Sequence, residues 1–194
     1  MTHDLDPKVA GILEAAFEAF LKFGFKRASM ADIAAGAGMS RAALYLHFKN
    51  KDDIFRSMIA VYYTECLKGL AAVLAVDAEV PAQIEAAFAA LTQDRFPALL
   101  DSPHGAEFLD AKTVSFADQT AQGDAQVVMA LAVWLDQAAA EGRVNYLAYG
   151  NSGLEVAQVM LKAMFGLKIG AMGYEAFAKD RDSLARMFGA ALAV

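Results

Sequence analysis

Three helix-start signatures crowd into residues 29–50, and they constrain this chain more than any other feature. Ser29-Met30-Ala31-Asp32 has the form of a capping box: the hydroxyl accepts from the backbone three residues on, and the carboxylate reaches back. Ser40 is the second start, ahead of Arg41-Ala42-Ala43-Leu44-Tyr45-Leu46-His47-Phe48, and Asn50 followed by Asp53 is the third. The helices between these starts are only about two turns long. Helices that short are marginal alone, so they must pack on the helix before them and on the start of the helix after them. Gly36-Ala37-Gly38 separates the two, and Gly38 can take the positive φ that a tight turn needs. Upstream, Val9, Ile12, Leu13, Ala16, Phe17, Phe20 and Leu21 repeat at the spacing of one helical face, which ends at Gly24.

The rest of the chain points the same way. Its 194 residues include 42 Ala and 20 Leu against 13 Val and 6 Ile, and only 4 Pro. Strong helix formers dominate, so an all-α protein is expected and a β-sandwich or barrel is not. A long helix should run from about Lys51 to Ala75. Further helices are expected near 81–100 with a kink at Pro97, and at 105–121, 124–142, 153–172 and 174–192, about nine in all. The longest apolar run, 127–135, is far short of the roughly 20 residues of a membrane span. No export leader is visible and the single cysteine, Cys66, reads as a small core residue, so a cytoplasmic location is expected.

Charge is distributed unevenly. The whole chain carries −6, which taken alone argues against a nucleic-acid partner. Residues 22–51, however, hold Lys22, Lys26, Arg27, Arg41, Lys49 and Lys51 against the single acid Asp32. Residues 57–194 hold 9 basic and 16 acidic residues. A basic island in an acidic chain marks where a nucleic acid would bind.

Two short helices joined by a Gly-containing turn inside that island describe a helix-turn-helix, with the second as the recognition helix in a DNA major groove. Ala42 and Ala43 are small enough to let the backbone approach base edges, and Arg41 is a long donor placed to reach a guanine. Tyr45, His47 and Lys51 can donate to phosphate oxygens, which fixes register without reading sequence. Each also has a plain structural reading. Tyr45 could pack on the first helix, His47 could sit at a helix end, Arg41 could be a solvated charge, Lys51 could be a first-turn lysine, and Ser29 and Ser40 are caps in either case.

Residues 29–55 resemble the DNA-binding signature of the TetR family of bacterial transcriptional regulators. The resemblance rests on Ser29, Ile33-Ala34, Ala37-Gly38-Met39-Ser40, Leu44-Tyr45-Leu46-His47-Phe48 and Lys51-Asp52-Asp53-Ile54, all in order. Ala42 stands where the family often has Gly, and Met39 where Val is common. The resemblance implies phosphate contacts from Ser29, Tyr45, His47 and Lys51, and base-edge or near-base roles for Ser40, Arg41, Ala42 and Ala43. It also implies an N-terminal three-helix DNA-binding domain, residues 1–50, joined by the long helix to an effector-binding and dimerisation domain, residues 51–194. The expected partners are a palindromic double-stranded operator, a small-molecule effector and a second copy of the chain. The expected activity is that of a ligand-responsive homodimeric repressor; an architectural or cell-cycle DNA binder lacking an effector is the alternative.

Dimerisation has independent support in the sequence. Residues 153–172 are apolar almost all round, with Glu155, Gln158 and Lys162 forming one polar stripe, and Gly166, Gly170 and Gly173 would allow a partner to approach closely. Leu154, Ala157, Leu161 and Phe165, with Phe177, Leu184, Phe188 and Leu192 of the last helix, are the expected four-helix interface between subunits. For the effector pocket the candidates are the large apolar residues Phe88, Phe96, Phe108, Phe116, Met129, Trp134, Met164 and Phe165, each of which could equally be plain core. Polar candidates are Tyr62, His104, Asp110 and Gln119. An acidic, aromatic-rich domain suggests an apolar or cationic effector. An enzyme is not expected. His3, His47 and His104 show no metal-ligand spacing with one another or with Cys66, no P-loop or nucleophile elbow is present, and neither a catalytic residue nor a cofactor is assigned.

Overall fold

The computed structural model describes residues 5–92, 95–168 and 172–194. These fold into ten α-helices and one π-helical turn, with no strand among them beyond a single isolated bridge between Val144 and Ala193. In chain order the helices are α1 (Pro7–Phe23), α2 (Met30–Gly36), α3 (Arg41–Tyr45), α4 (Lys51–Leu74), α5 (Val80–Ala90), α6 (Phe96–Leu100), α7 (Gly105–Asp110), α8 (Ala117–Ala140), α9 (Gly153–Gly166) and α10 (Tyr174–Leu192). The π turn, Ala111–Ser115, lies between α7 and α8. The all-α expectation holds.

The chain divides into two compact units. The first is Met1–Tyr62 with Ala98–Ala121, and the second is Tyr63–Pro97 with Gln122–Val194. In the first, α1 buries Ile12, Leu13, Ala16, Phe17 and Phe20, the face its spacing foretold. Phe20, Phe25, Phe55, Phe108 and Phe116 gather as an aromatic cluster, with Phe55 at 4.8 Å from each of Phe25, Phe108 and Phe116 and 5.7 Å from Phe20. Rings at such distances in edge-on or offset arrangements add to what their burial alone contributes. In the second unit α10 packs along α5, with Phe88 and Phe188 at 6.0 Å. Arg181 donates to Thr92 Oγ1 at 2.7 Å and to Asp182 at 2.8 Å. Trp134, Leu131, Leu135, Ala157, Met160, Met164 and Phe177 complete that interior.

Several boundaries differ from the expected ones. The helix expected over 81–100 ends at Ala90, and α6 restarts at Phe96 with Pro97 in its first turn rather than at a kink. The helix expected over 105–121 is α7, the π turn and then the beginning of α8, which runs without a break through Gly123. Gly123 serves close packing there: a Cβ would drive into the Tyr63 ring, whose hydroxyl donates to Asp124. Burial and the Asp124 carboxylate together push the Tyr63 phenol well above its ordinary range. α9 stops at Gly166, short of 172; Ile169 and Gly170 lie outside the described residues. By length and composition α4 is apolar enough to cross a membrane. One stripe of it, Ile54, Phe55, Ile59, Tyr63, Cys66 and Leu70, is no more than 5% exposed.

Candidate nucleic-acid interface

The caps read from the sequence build the local frame. Ser29 Oγ accepts from the Asp32 N–H at 3.3 Å, and the Asp32 carboxylate accepts from the Ser29 N–H at 2.9 Å and from its hydroxyl at 2.5 Å. The hydroxyl bond first, and the backbone bond second, hold the Asp32 carboxyl below the usual carboxylate range. Ser40 Oγ accepts from the Ala43 N–H at 3.1 Å, which opens α3. Asn50 Oδ1 accepts from the Asp53 N–H at 2.8 Å, while Asp53 reaches back to the Lys49 N–H at 3.1 Å, which opens α4. Between α2 and α3, Gly38 has φ +64° and open space around it, so its backbone conformation rather than packing requires glycine.

α3 is held from beneath by Leu44, fully buried, and by Phe48 just past its end, 6% exposed. The opposite face is open to solvent. Arg41, Ala42, Tyr45, His47 and Lys49 are exposed and Ala43 is half-buried. Arg41 Nη2 donates to the Tyr45 hydroxyl at 3.2 Å, and its guanidinium lies 5.5 Å from the Tyr45 ring centre. That i, i+4 pair pre-orients two donors on one surface. Tyr45 therefore faces outward and does not pack on α1.

Lys51 is placed differently. Its ammonium donates to the carbonyls of Phe25 at 2.7 Å, Lys26 at 2.8 Å and Ala28 at 3.3 Å, and lies 5.0 Å from the Phe25 ring centre. An ammonium has three hydrogens, and three backbone acceptors surround it. Lys22, Lys26 and Arg27, members of the basic island to which the sequence assigns no contact, are exposed. Their signal was charge alone, which does not separate a contact from a solvated face.

The candidate pocket residues divide between the two units. Phe108 and Phe116 belong to the aromatic cluster of the first. Phe88, Trp134 and Met164 are buried in the second, where Phe96 and Phe165 lie beneath the Lys168 ammonium at 4.8 and 4.2 Å. Met129 is 53% exposed. The Trp134 indole N–H is buried without an acceptor. His104 and Gln119 are turned to the N-terminal module: His104 Nε2 is 3.3 Å from Arg27 Nη2, and Gln119 Nε2 donates to the Arg56 carbonyl at 2.8 Å. Of the expected interface residues, Ala157, Leu161, Phe177 and Leu192 are interior to the protomer, Phe165, Leu184 and Phe188 are half-buried, and Leu154 is exposed. Among the described residues no three His, Cys, Asp or Glu side chains gather as a metal site. His3 lies outside them.

Comparison with known proteins agrees with this geometry. Residues 12–58 match the model of the bacterial regulatory proteins of the tetR family. The transcriptional regulator TtgR of Pseudomonas putida is 46% identical over 50 residues, which are 26% of this chain and 24% of that protein. The match thus spans about a quarter of the curated relative's length. Two solved structures superpose over nearly the whole chain. A transcriptional regulator from Cytophaga hutchinsonii gives a TM-score of 0.76 at 20% identity, covering 97% of this chain and 100% of that one. SmeT, the repressor of the Stenotrophomonas maltophilia multidrug efflux pump SmeDEF, gives 0.71 at 22% identity, covering 96% and 90%. Residues 12–58 are therefore similar to the module that the tetR family of bacterial regulatory proteins shares, and the chain has the all-helical fold of these two solved regulators.

Proposed function

We propose that this protein is a homodimeric transcriptional repressor that reads a palindromic operator with α3 of each protomer and is released by a small apolar or cationic effector. The observation that carries the reading is the two-sided build of α3. Leu44 and Phe48 anchor the segment to the core, while Arg41, Ala42, Tyr45 and His47 are exposed to solvent. Arg41 supplies the donor to a guanine edge, Ala42 and Ala43 allow close approach, and Ser29, Ser40, Tyr45 and His47 contact phosphate or the groove edge. Lys51 serves from behind: a phosphate contact would require it to give up the carbonyls it now holds. Residues 1–50 form the DNA-binding part in this reading, and residues 51–194 the effector-binding and dimerisation part.

One five-residue helix touches few bases. Two of them, about 34–36 Å apart, read successive major grooves on one side of the duplex. Both helices offer exposed apolar side chains to a second copy: Leu154 and Val159 on α9, and Met187 on α10 next in sequence to half-buried Phe188. Support for an effector comes from the Trp134 N–H. A buried donor without an acceptor costs about 1–3 kcal/mol, and a bound molecule carrying an acceptor would remove that cost. SmeT, which shares the fold, forms a complex with triclosan.

Selection of randomised duplexes by the full chain tests the reading. The expected outcome is a palindrome, together with light scattering near twice 20.7 kDa. A protein that enriches no duplex, or that stays at 20.7 kDa while bound, would overturn it.

A further inference from the structure

The residues assigned to DNA all lie between Ser29 and Lys51, but part of what holds them in place comes from later in the chain. α2 starts at Met30, after its Ser29 cap and the non-helical stretch of residues 24–28. Backbone donors and acceptors in such a stretch need partners. The Gly24 N–H donates to the Phe20 carbonyl and the Ala28 N–H to the Gly24 carbonyl, at 2.9 and 3.0 Å. Lys51 takes the carbonyls of Phe25, Lys26 and Ala28. The Lys26 N–H goes to Glu107, whose Oε1 accepts it at 2.7 Å.

Glu107 is itself firmly set. It sits on α7 beside Phe108, which enters the aromatic cluster against Phe17 at 5.8 Å. Its Oε2 occupies the space that a Cβ on Gly24 would need. The same oxygen is 3.8 Å from His104 Nδ1, and the Glu107 side chain is 29% exposed. Across the imidazole, Arg27 Nη2 approaches His104 Nε2 at 3.3 Å. A guanidinium can only donate. Nε2 is therefore the acceptor in that contact. Ser102 Oγ adds a bond to the Leu21 carbonyl at 3.0 Å, near the end of α1. All these groups belong to one compact unit.

We infer that Glu107 is a positioning residue for DNA binding. By accepting the Lys26 N–H it fixes the 24–28 loop, and with it the angle at which α2 and α3 leave α1. The inference rests on the DNA-binding reading above. It differs from a general charge effect in what it demands of the side chain: an acceptor oxygen at glutamate's reach. Glutamine keeps that oxygen and loses the charge. Aspartate keeps the charge and is one methylene too short.

The test uses the full-length protein and two readouts. The first is hydrogen exchange at the Lys26 amide without DNA. The second is the Kd for a fluorescein-labelled duplex recovered by selection with the wild-type chain. In Glu107→Asp and Glu107→Ala, exchange should accelerate and Kd should rise up to about tenfold, the upper end of the net worth of an ordinary hydrogen bond. Glu107→Gln should stay near the wild type in both. If Glu107→Ala fails to fold, the Asp and Gln variants still decide the matter. Unchanged Kd in Glu107→Asp would overturn the inference alone, as would tighter binding by Glu107→Gln with Glu107→Asp at wild-type affinity, the pattern of simple charge removal. A wild-type chain that selects no duplex would overturn the DNA-binding reading, and the inference with it.

Discussion

The outer face of α3 and the 24–28 loop behind it use the same kind of residue for opposite ends. On α3, Arg41 is exposed and, among the described residues, its guanidinium donates to the Tyr45 hydroxyl and lies over that ring, so it keeps hydrogens to spare. At the loop, Lys51 is wrapped by three carbonyls and an aromatic ring. Both come from one basic island. The difference follows from geometry: a compact ammonium on a flexible stem can reach into a turn and saturate several carbonyls, whereas a planar five-donor fork is suited to flat acceptors such as a guanine edge or a phosphate. Positive charge in this module therefore has a structural half and a recognition half, and only the second should register in DNA affinity independently of folding.

Removing the structural half should have the largest effect. Lys51→Ala strands three backbone acceptors, and thermal unfolding should show a loss of about 2–3 kcal/mol. A stability equal to wild type, with DNA binding alone impaired, would return Lys51 to the recognition half. Arg41→Ala comes next. It should weaken binding to the selected duplex by about 1–3 kcal/mol and relax base preference, with the unfolding temperature unchanged; a drop in stability would erase the distinction between the two cations.

Ser29→Ala should cost about 1 kcal/mol of stability, the usual worth of an N-cap. It also has a pH signature. The Asp32 carboxyl is lowered in the folded state by the Ser29 hydroxyl and backbone. Its contribution is therefore present above the unfolded carboxylate value of about 4 and is lost as pH falls through the lower folded value. The Ser29→Ala variant should lose part of this acid dependence, which unfolding curves between neutral and acid pH would reveal. Tyr45→Phe should have the smallest effect. Binding to all duplexes should fall by a similar amount, about 0.5–1.5 kcal/mol, without a change in preference. A change in preference would place Tyr45 on a base edge.

The caps at Ser29, Ser40 and Asn50 were legible because each is a contact within four residues, set by side-chain type and spacing. The buried anchors Leu44 and Phe48 were legible for the same reason, as one period of a helix. The middle of the chain was not. Gly123 looks like a break in an Ala-rich stretch, yet α8 runs through it, and the position lacks a Cβ because the Tyr63 ring lies there. The π turn at Ala111–Ser115 and the interruption between Ala90 and Phe96 carry no local mark that the periodicity could detect. Met129 and Phe116 read alike as large apolar residues, but one is 53% exposed and the other 3%.

Short-range hydrogen bonding and helical periodicity thus specify an all-α chain with a basic helix-turn-helix at its start, since those interactions need only neighbours in the sequence. Which cation turns inward, which acid grips the loop ahead of α2 and where the middle helices break all depend on groups brought together from distant parts of the chain. Lys26 and Glu107 meet across 81 residues. A contact of that span exists only after the hydrophobic core has formed and brought its two ends together.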